Sequence, residues 1–193
     1  MDKILSLCRE LNDLVTSSTY QSLYDIPNDT DYDQTFISID AIEDTQGAIS
    51  AFTNANSPKE RGQNILLIYG FLQALFVQQD GLHNLYRCVF NSDINQKDFF
   101  DKFSFDNEIR NVRNDIAGHP TNRKRDTEFY FFDKSEQISK DKFVYAGYYI
   151  SKFKSVEVDS KAFVRKQAEF TKSVLKAVRK EVLIKIKEKE KSN

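Results

Sequence analysis

The feature that most constrains this chain is one long apolar row between Ser57 and Phe90. Ile65, Ile68, Tyr69, Leu72, Leu75, Phe76, Leu82, Tyr86 and Val89 recur at steps of three and four for more than 20 residues, the period of an α-helix packed along one side. Ser57 can cap its start, with Pro58 in the first turn and Glu60 completing a capping box. A helix of this length spans a whole small domain, so the remaining elements must be arranged along it. One row, Ile65, Tyr69, Leu72, Phe76, Gln79, His83, Tyr86 and Phe90, carries two polar side chains four residues apart. Gln79 and His83 must find partners, either as a buried amide and histidine that fix helix register or as support behind an active site.

The same period places an amphipathic helix over residues 2 to 16, with Ile4, Leu7, Cys8, Leu11, Leu14 and Val15 inward. A loop from Ser17 to Asp29 follows. A second helix starts near Thr30 or Asp31 and carries Phe36, Ile39, Ile42, Ala48, Ile49 and Phe52, with Gly47 as a weak point. Residues 91 to 104, with Phe99, Phe100 and Phe103, read as a loop or short turn, and Phe105, Ile109, Val112 and Ile116 then share a helical face. Beyond Pro120 the pattern becomes aromatic and β-branched, at Glu128 to Phe132 and Lys142 to Ile150, around a polar 133 to 141 loop. These predict an antiparallel hairpin, and Phe153 to Val158 is compatible with a third short strand. A last helix runs from about Ser160 to Lys189 and ends in a lysine-rich tail.

The expected fold is therefore mainly α. It is an up-and-down bundle of four to five helices in a single domain over residues 1 to 193, with an appended β-hairpin at about 126 to 151. A chain of 193 residues can bury a sizeable core unaided. The formal net charge of -1 carries no global nucleic-acid signature, but charge is unevenly spread. Residues 1 to 60 hold 3 basic against 11 acidic side chains, and residues 159 to 193 hold 11 against 5. Cys8 and Cys88 fall in helical patterns and read as buried thiols. No signal peptide or run of about 18 apolar residues stands out, so a cytoplasmic protein with no membrane partner is expected.

The chemistry concentrates in residues 107 to 123, Asn-Glu-Ile-Arg-Asn-Val-Arg-Asn-Asp-Ile-Ala-Gly-His-Pro-Thr-Asn-Arg. Arg113 sits at the margin of the apolar stripe, half-sheltered, where a guanidinium needs an anionic or carbonyl partner. His119 follows after five intervening residues, between Gly118 and Pro120. Six steps along a regular α-helix leave two side chains roughly 120° and about 9 Å apart. Gly118 in a left-handed conformation would end the helix and let His119 swing back. An arginine fork binds phosphate oxygens and a histidine titrates near neutrality, which together suit metal-independent RNA cleavage by 2′-hydroxyl attack. Arg110 and the Arg123-Lys124-Arg125 run are candidates for flanking phosphates. Asp115 reads as a helix-end charge or an arginine's partner. The structural alternative is a salt bridge at Arg113 and a loop histidine at 119.

Arg113, the polar Asn114 and His119 together resemble the signature of the HEPN superfamily, an arginine and a histidine four to six residues apart in a helical bundle. The resemblance implies a homodimer whose two arginine-histidine pairs line one cleft, supplying the second histidine that two proton transfers need. It implies Arg113, His119 and Asn114 as catalytic residues, RNA as substrate, and no cofactor or metal. It further implies a toxin-antitoxin or phage-defence setting with a cognate antitoxin or inhibitor protein. Thr121 stands where many such toxins carry a tyrosine modified by a partner enzyme, so that form of control is not carried over. A non-catalytic HEPN-like module that binds nucleic acid or protein is the alternative.

Overall fold

The long apolar row forms one unbroken helix, α4 (Arg61–Phe90), in a computed structural model that describes residues 3–24, 30–121, 128–134, 137–149 and 152–192. Ahead of it lie α1 (Lys3–Val15), α2 (Ser18–Gln21) and α3 (Thr30–Asn54). After it come α5 (Gln96–Lys102), α6 (Glu108–Arg113) and a π-helical turn over Asn114–Gly118. Three strands follow, β1 (Glu128–Phe132), β2 (Lys142–Tyr149) and β3 (Lys152–Asp159), and then α7 (Ser160–Ser192). The protein is mainly helical with an appended antiparallel β part.

Several boundaries differ from expectation for local reasons. Gly47 does not break α3, because a glycine inside a helix weakens it without ending it. The start of α4 falls at Arg61, not at the expected Ser57 cap; Asn64 instead bonds the carbonyls of Pro58 (2.7 Å) and Glu60 (3.2 Å). Asn91 in the left-handed region (φ 51°) ends α4, with Ser92 N–H returning to Arg87 O at 3.0 Å. The phenylalanines expected in a loop form α5, capped by Asn95, whose side chain accepts from Asp98 N–H at 3.0 Å. Ser17 caps the short α2 inside the expected 17 to 29 loop.

The chain divides into two compact units. The first comprises Met1–Gly47, Val77–Phe105 and Gln167–Asn193. Its core includes α1 residues Ile4, Cys8 and Leu11, and α4 residues Leu82, Leu85 and Val89, all buried. Phe170 of α7 sits among Phe99, Phe100 and Phe105, stacked on Phe105 with centroids 4.1 Å apart. Both cysteines are buried free thiols. A glutamine network crosses this unit: Gln167 Nε2 donates to Gln78 Oε1 and Gln79 Nε2 donates to Gln167 Oε1, each at 2.9 Å. Gln78 also donates to Gln46, and Thr171 to Gln78. Each of these amides is buried, where an unmade hydrogen bond is costly. Gln167→Ala strands Gln79 Nε2, and urea unfolding is expected to show a loss of about 1–3 kcal/mol.

The second unit comprises Ala48–Phe76 and Asp106–Lys166. Its sheet has the order β1-β2-β3, with every pair antiparallel. The expected hairpin is thus a three-stranded sheet that feeds directly into α7, the alternation of Val156 and Val158 continuing the pattern past residue 151. One face is buried through Glu128, Phe143, Tyr145 and Val158. Tyr130 lies opposite Gly147, where a Cβ would be 2.5 Å from the Tyr130 ring, so only glycine lets that ring cross β2. Phe52 and Phe71 stack at 4.1 Å, and buried Lys140 bonds Thr53 O (3.3 Å) and Asp141 (3.2 Å).

Among the described residues one helix, α4, is long and apolar enough by length and composition to cross a bilayer, where the sequence alone suggested none. Half of its apolar window is buried inside the protein, and Gln78 and Gln79 in this helix spend their polar groups on neighbouring segments.

Candidate functional site

The site is built on α6 and the π turn that continues it. Ile109, Val112 and Ile116 are buried, which fixes the inward face. Arg110 and Arg113, three residues apart, then share another side. Both guanidiniums lie over the ring of Phe76, Arg110 with its Cζ 3.8 Å from the centroid and Arg113 at 4.2 Å. Two cations on one aromatic ring repel each other, and the electron-rich ring face offsets part of that repulsion.

Arg113 is half-buried, and its fork is held by neutral oxygens. Gln73 Oε1 accepts from Nε at 3.2 Å and from Nη2 at 2.9 Å, while Asn114 Oδ1 accepts from Nη1 at 2.9 Å. Carbonyl oxygens orient a guanidinium without cancelling its charge. Among the described residues no carboxylate pairs with Arg113. The salt bridge offered as the structural alternative is absent from this set.

The π turn replaces the expected left-handed Gly118. No glycine among the described residues has positive φ. Instead the helix widens over Asn114–Gly118, and His119 N–H donates to Asn114 O five residues back, at 2.8 Å. Gly118 serves a different purpose from the one its position suggested. A Cβ there would lie 2.8 Å from Arg113 Nη1 and 3.3 Å from Asn114 Oδ1, so the missing side chain is the space the guanidinium occupies.

The turn is locked from the sheet. Asp115 is buried and accepts from Tyr145 Oη at 3.0 Å, which makes it a partner of β2 and not only a helix-end charge. Beyond the turn, Pro120 O accepts from Tyr130 N–H at 2.8 Å. His119 between these anchors is exposed, with backbone angles of φ -138° and ψ 52°. Its ring has no hydrogen-bond partner among the described residues.

Arg113, Asn114 and Arg110 therefore form one group around Phe76 and Gln73, and His119 stands at the end of the turn that begins with Asn114. Arg123, Lys124 and Arg125, expected to hold flanking phosphates, lie outside the described residues. Gln79 and His83 belong to the first unit. They are not bonded to each other: Gln79 donates to Gln167, and the His83 ring nitrogen Nε2 bonds Ile94 O at 2.8 Å. Phe76 and Gln73 were missed as site residues. Phe76 looks like one more apolar position of α4, and Gln73 like a solvated one.

Another side of α6 was also not foreseen. Asn107, Asn111 and Asp115, four residues apart, line a cleft of about 550 Å³ whose walls carry Asp106, Glu108, Glu128 and Glu157. Lys154 also lines it. Lys166 pins Asp106 and also bonds Glu108 at 2.9 Å. Partial burial works against the charged forms of Asp106 and Lys166. The hydrogen bond between them outweighs it, lowering the Asp106 carboxyl and raising the Lys166 ammonium from their ordinary ranges. This side is acidic and repels phosphate; the arginine side attracts it. Among the described residues no three histidine, cysteine or acidic side chains converge to hold a metal ion.

No family model, no curated protein and no solved structure matches this chain.

Proposed function

We propose that the protein is a HEPN-like, metal-independent endoribonuclease of a toxin-antitoxin or phage-defence system, working on RNA in the cytoplasm as a homodimer and silenced by a cognate inhibitor protein. One observation carries the reading: Arg113 is fixed by three hydrogen bonds to neutral oxygens and a ring face, with no carboxylate paired to it among the described residues. An arginine held in place yet still charged is prepared for an anion that arrives later.

In the proposed reaction the 2′-hydroxyl oxygen attacks the adjacent phosphorus and the 5′-oxygen leaves. One histidine takes the hydroxyl proton and a second protonates the leaving oxygen. The guanidinium of Arg113 stabilises the charge that builds on the non-bridging oxygens. His119 provides one proton-transfer group per chain, so a second copy provides the other. Support for self-association comes from α4, where Gly62, Leu66, Tyr69 and Gly70 lie on an exposed side that leads to Gln73. Leu66 is 71% exposed there, and the two glycines have nothing near their Cβ positions, which leaves room for close approach of another helix.

The test is incubation of the purified protein with single-stranded RNA in EDTA, reading for fragments that end in a 2′,3′-cyclic phosphate and a 5′-hydroxyl. Absence of such ends with well-folded protein overturns the reading. The unpartnered ring of His119 favours a second reading, a non-catalytic module that binds RNA through Arg113, since catalytic histidines are ordinarily oriented by a neighbour. In that case Arg113→Ala weakens RNA binding measured by fluorescence anisotropy about tenfold, and no RNA end is ever produced.

A further inference from the structure

At the C-terminal end of α4 a groove of about 390 Å³ opens between α4, the end of α5 and α7, and every residue that lines it belongs to the first unit. One helical turn supplies two of its rings. Tyr86 and Phe90, four residues apart, share a side of α4, and their rings stack with centroids 4.2 Å apart and planes 17° from parallel. Phe103, just past α5, stands edge-on to Tyr86 at 5.9 Å and 85°. Ile184 of α7 also lines the groove and is 38% exposed. Apolar walls around a space of roughly 300–1,000 Å³ are the ordinary make-up of a small-molecule site. A stable protein partner needs roughly 800 Å² of surface on each side, far more than such a groove offers.

The polar groups of the groove are unspent. Tyr86 is only 6% exposed, and a phenol hydroxyl so deeply placed ordinarily has a partner. The Tyr86 hydroxyl makes no hydrogen bond among the described residues. Among these residues the sealed side-chain atoms without a partner are Asn12 Oδ1 and Gln79 Oε1. The Tyr86 hydroxyl is therefore unbonded but not sealed in, and the open space that Tyr86 lines is this groove. Lys102, the last residue of α5, and Lys180 of α7 line the same groove, are exposed, and have no ion-pair partner among the described residues. Lys102 Nζ lies 5.9 Å from the Tyr86 centroid, the outer limit of a cation–π contact, so its charge is barely offset there. Asp101 beside it is spent on Lys97 at 3.3 Å. Glu181 is the one carboxylate that lines the groove, against two ammonium groups.

These features specify an occupant. Phe90 spends one ring face on Tyr86, and among the described residues no other ring or cation occupies its second face, which suits a flat apolar body. Two positive charges against one negative match a single anionic charge, and the free hydroxyl is a donor for it. We infer that this groove binds a small aromatic monocarboxylate, with Phe90 taking the ring and Lys102, Lys180 and the Tyr86 hydroxyl taking the carboxylate. The site stands apart from the ribonuclease reading, because Arg113 belongs to the other unit.

The probe is 2-naphthoate, titrated calorimetrically into the full chain and compared with neutral 2-naphthamide, octanoate and 2-naphthyl phosphate. Naphthoate is expected to bind about tenfold tighter than naphthamide. Lys102→Gln with Lys180→Gln should abolish that difference and leave naphthamide binding unchanged. Tyr86→Phe, which removes only the hydroxyl, should weaken naphthoate about fivefold. Phe90→Leu keeps apolar area and removes the ring; it should weaken naphthoate and naphthamide alike, by about fivefold, and leave octanoate unchanged. Wild-type naphthoate affinity in the double lysine variant overturns the site, and these two exposed side chains can be changed without touching the core. Octanoate or naphthyl phosphate bound as tightly as naphthoate overturns the aromatic carboxylate as its ligand. So does self-association of the wild type that Ile184→Asp dissociates in sedimentation, because a second copy would then cover the groove. None of these readouts involves RNA, so failure of the groove and failure of the ribonuclease are told apart.

Discussion

Replacing His119 by alanine is expected to reduce RNA cleavage by about 10²- to 10⁴-fold, the ordinary contribution of one general acid or base, while leaving the unfolding midpoint unchanged. The ring is exposed and makes no hydrogen bond among the described residues, so nothing in the packing depends on it. The backbone bond from His119 N–H to Asn114 O survives the substitution, as does the anchor between Pro120 O and Tyr130 N–H. The measurement is a pair of curves, cleavage rate and urea unfolding, on the same preparation. A variant that cleaves like wild type removes His119 from the reaction, and a variant that loses both stability and cleavage assigns it a structural role. If two copies share one cleft, mixing His119→Ala with wild type should give less activity than the wild-type fraction alone predicts.

The second large effect is expected from Gly118→Ala, a change of one methyl group in a residue that takes no part in the reaction. Gly118 does not have positive φ, so alanine fits its backbone without strain. What the methyl group meets is the end of a flexible side chain, Arg113 Nη1 at 2.8 Å. The arginine must give way, which is cheap in stability and expensive in position. Global stability should stay within about 1 kcal/mol of wild type, whereas cleavage should fall about a hundredfold, the usual cost of misplacing a reacting group by an ångström. Unchanged cleavage would show that the position held by Gln73, Asn114 and Phe76 is not the one that matters.

Both predictions depend on features that the sequence displays unequally. The helices α1, α3, α4 and α7 were legible because each keeps an apolar period long enough to exclude other structures. The seven-residue α5 was not, since a run of two turns gives no period; its signal was Asn95 three residues before Asp98, a cap that only counts once a helix is suspected. Arg113 and His119 could be singled out by residue type, and the need for carbonyl partners followed from where Arg113 falls on its stripe. Which carbonyls could not be known, because Gln73 is 40 residues away in the chain and looks like any exposed glutamine. The expected left-handed glycine was wrong for a related reason. A π turn has no composition of its own, and it is held here by Tyr145 and Tyr130 from strands that begin beyond it. The acidic cleft was hidden by dispersion: its carboxylates come from residues 106 to 157, and only the folded unit collects them.

The π turn has a consequence for how the arginine-histidine spacing is counted. A helix is a clock as well as a ruler, and each residue added to a turn sets back the hour at which every later side chain points. Between Arg113 and His119 the clock runs slow by one residue, so the interval between them is a phase angle, and a straight helix with the same interval tells a different time. Rewinding the turn as an ordinary α-helix with all its residues kept would turn His119 to another bearing, whereas removing Ala117 together with the bulge would leave it near the present one.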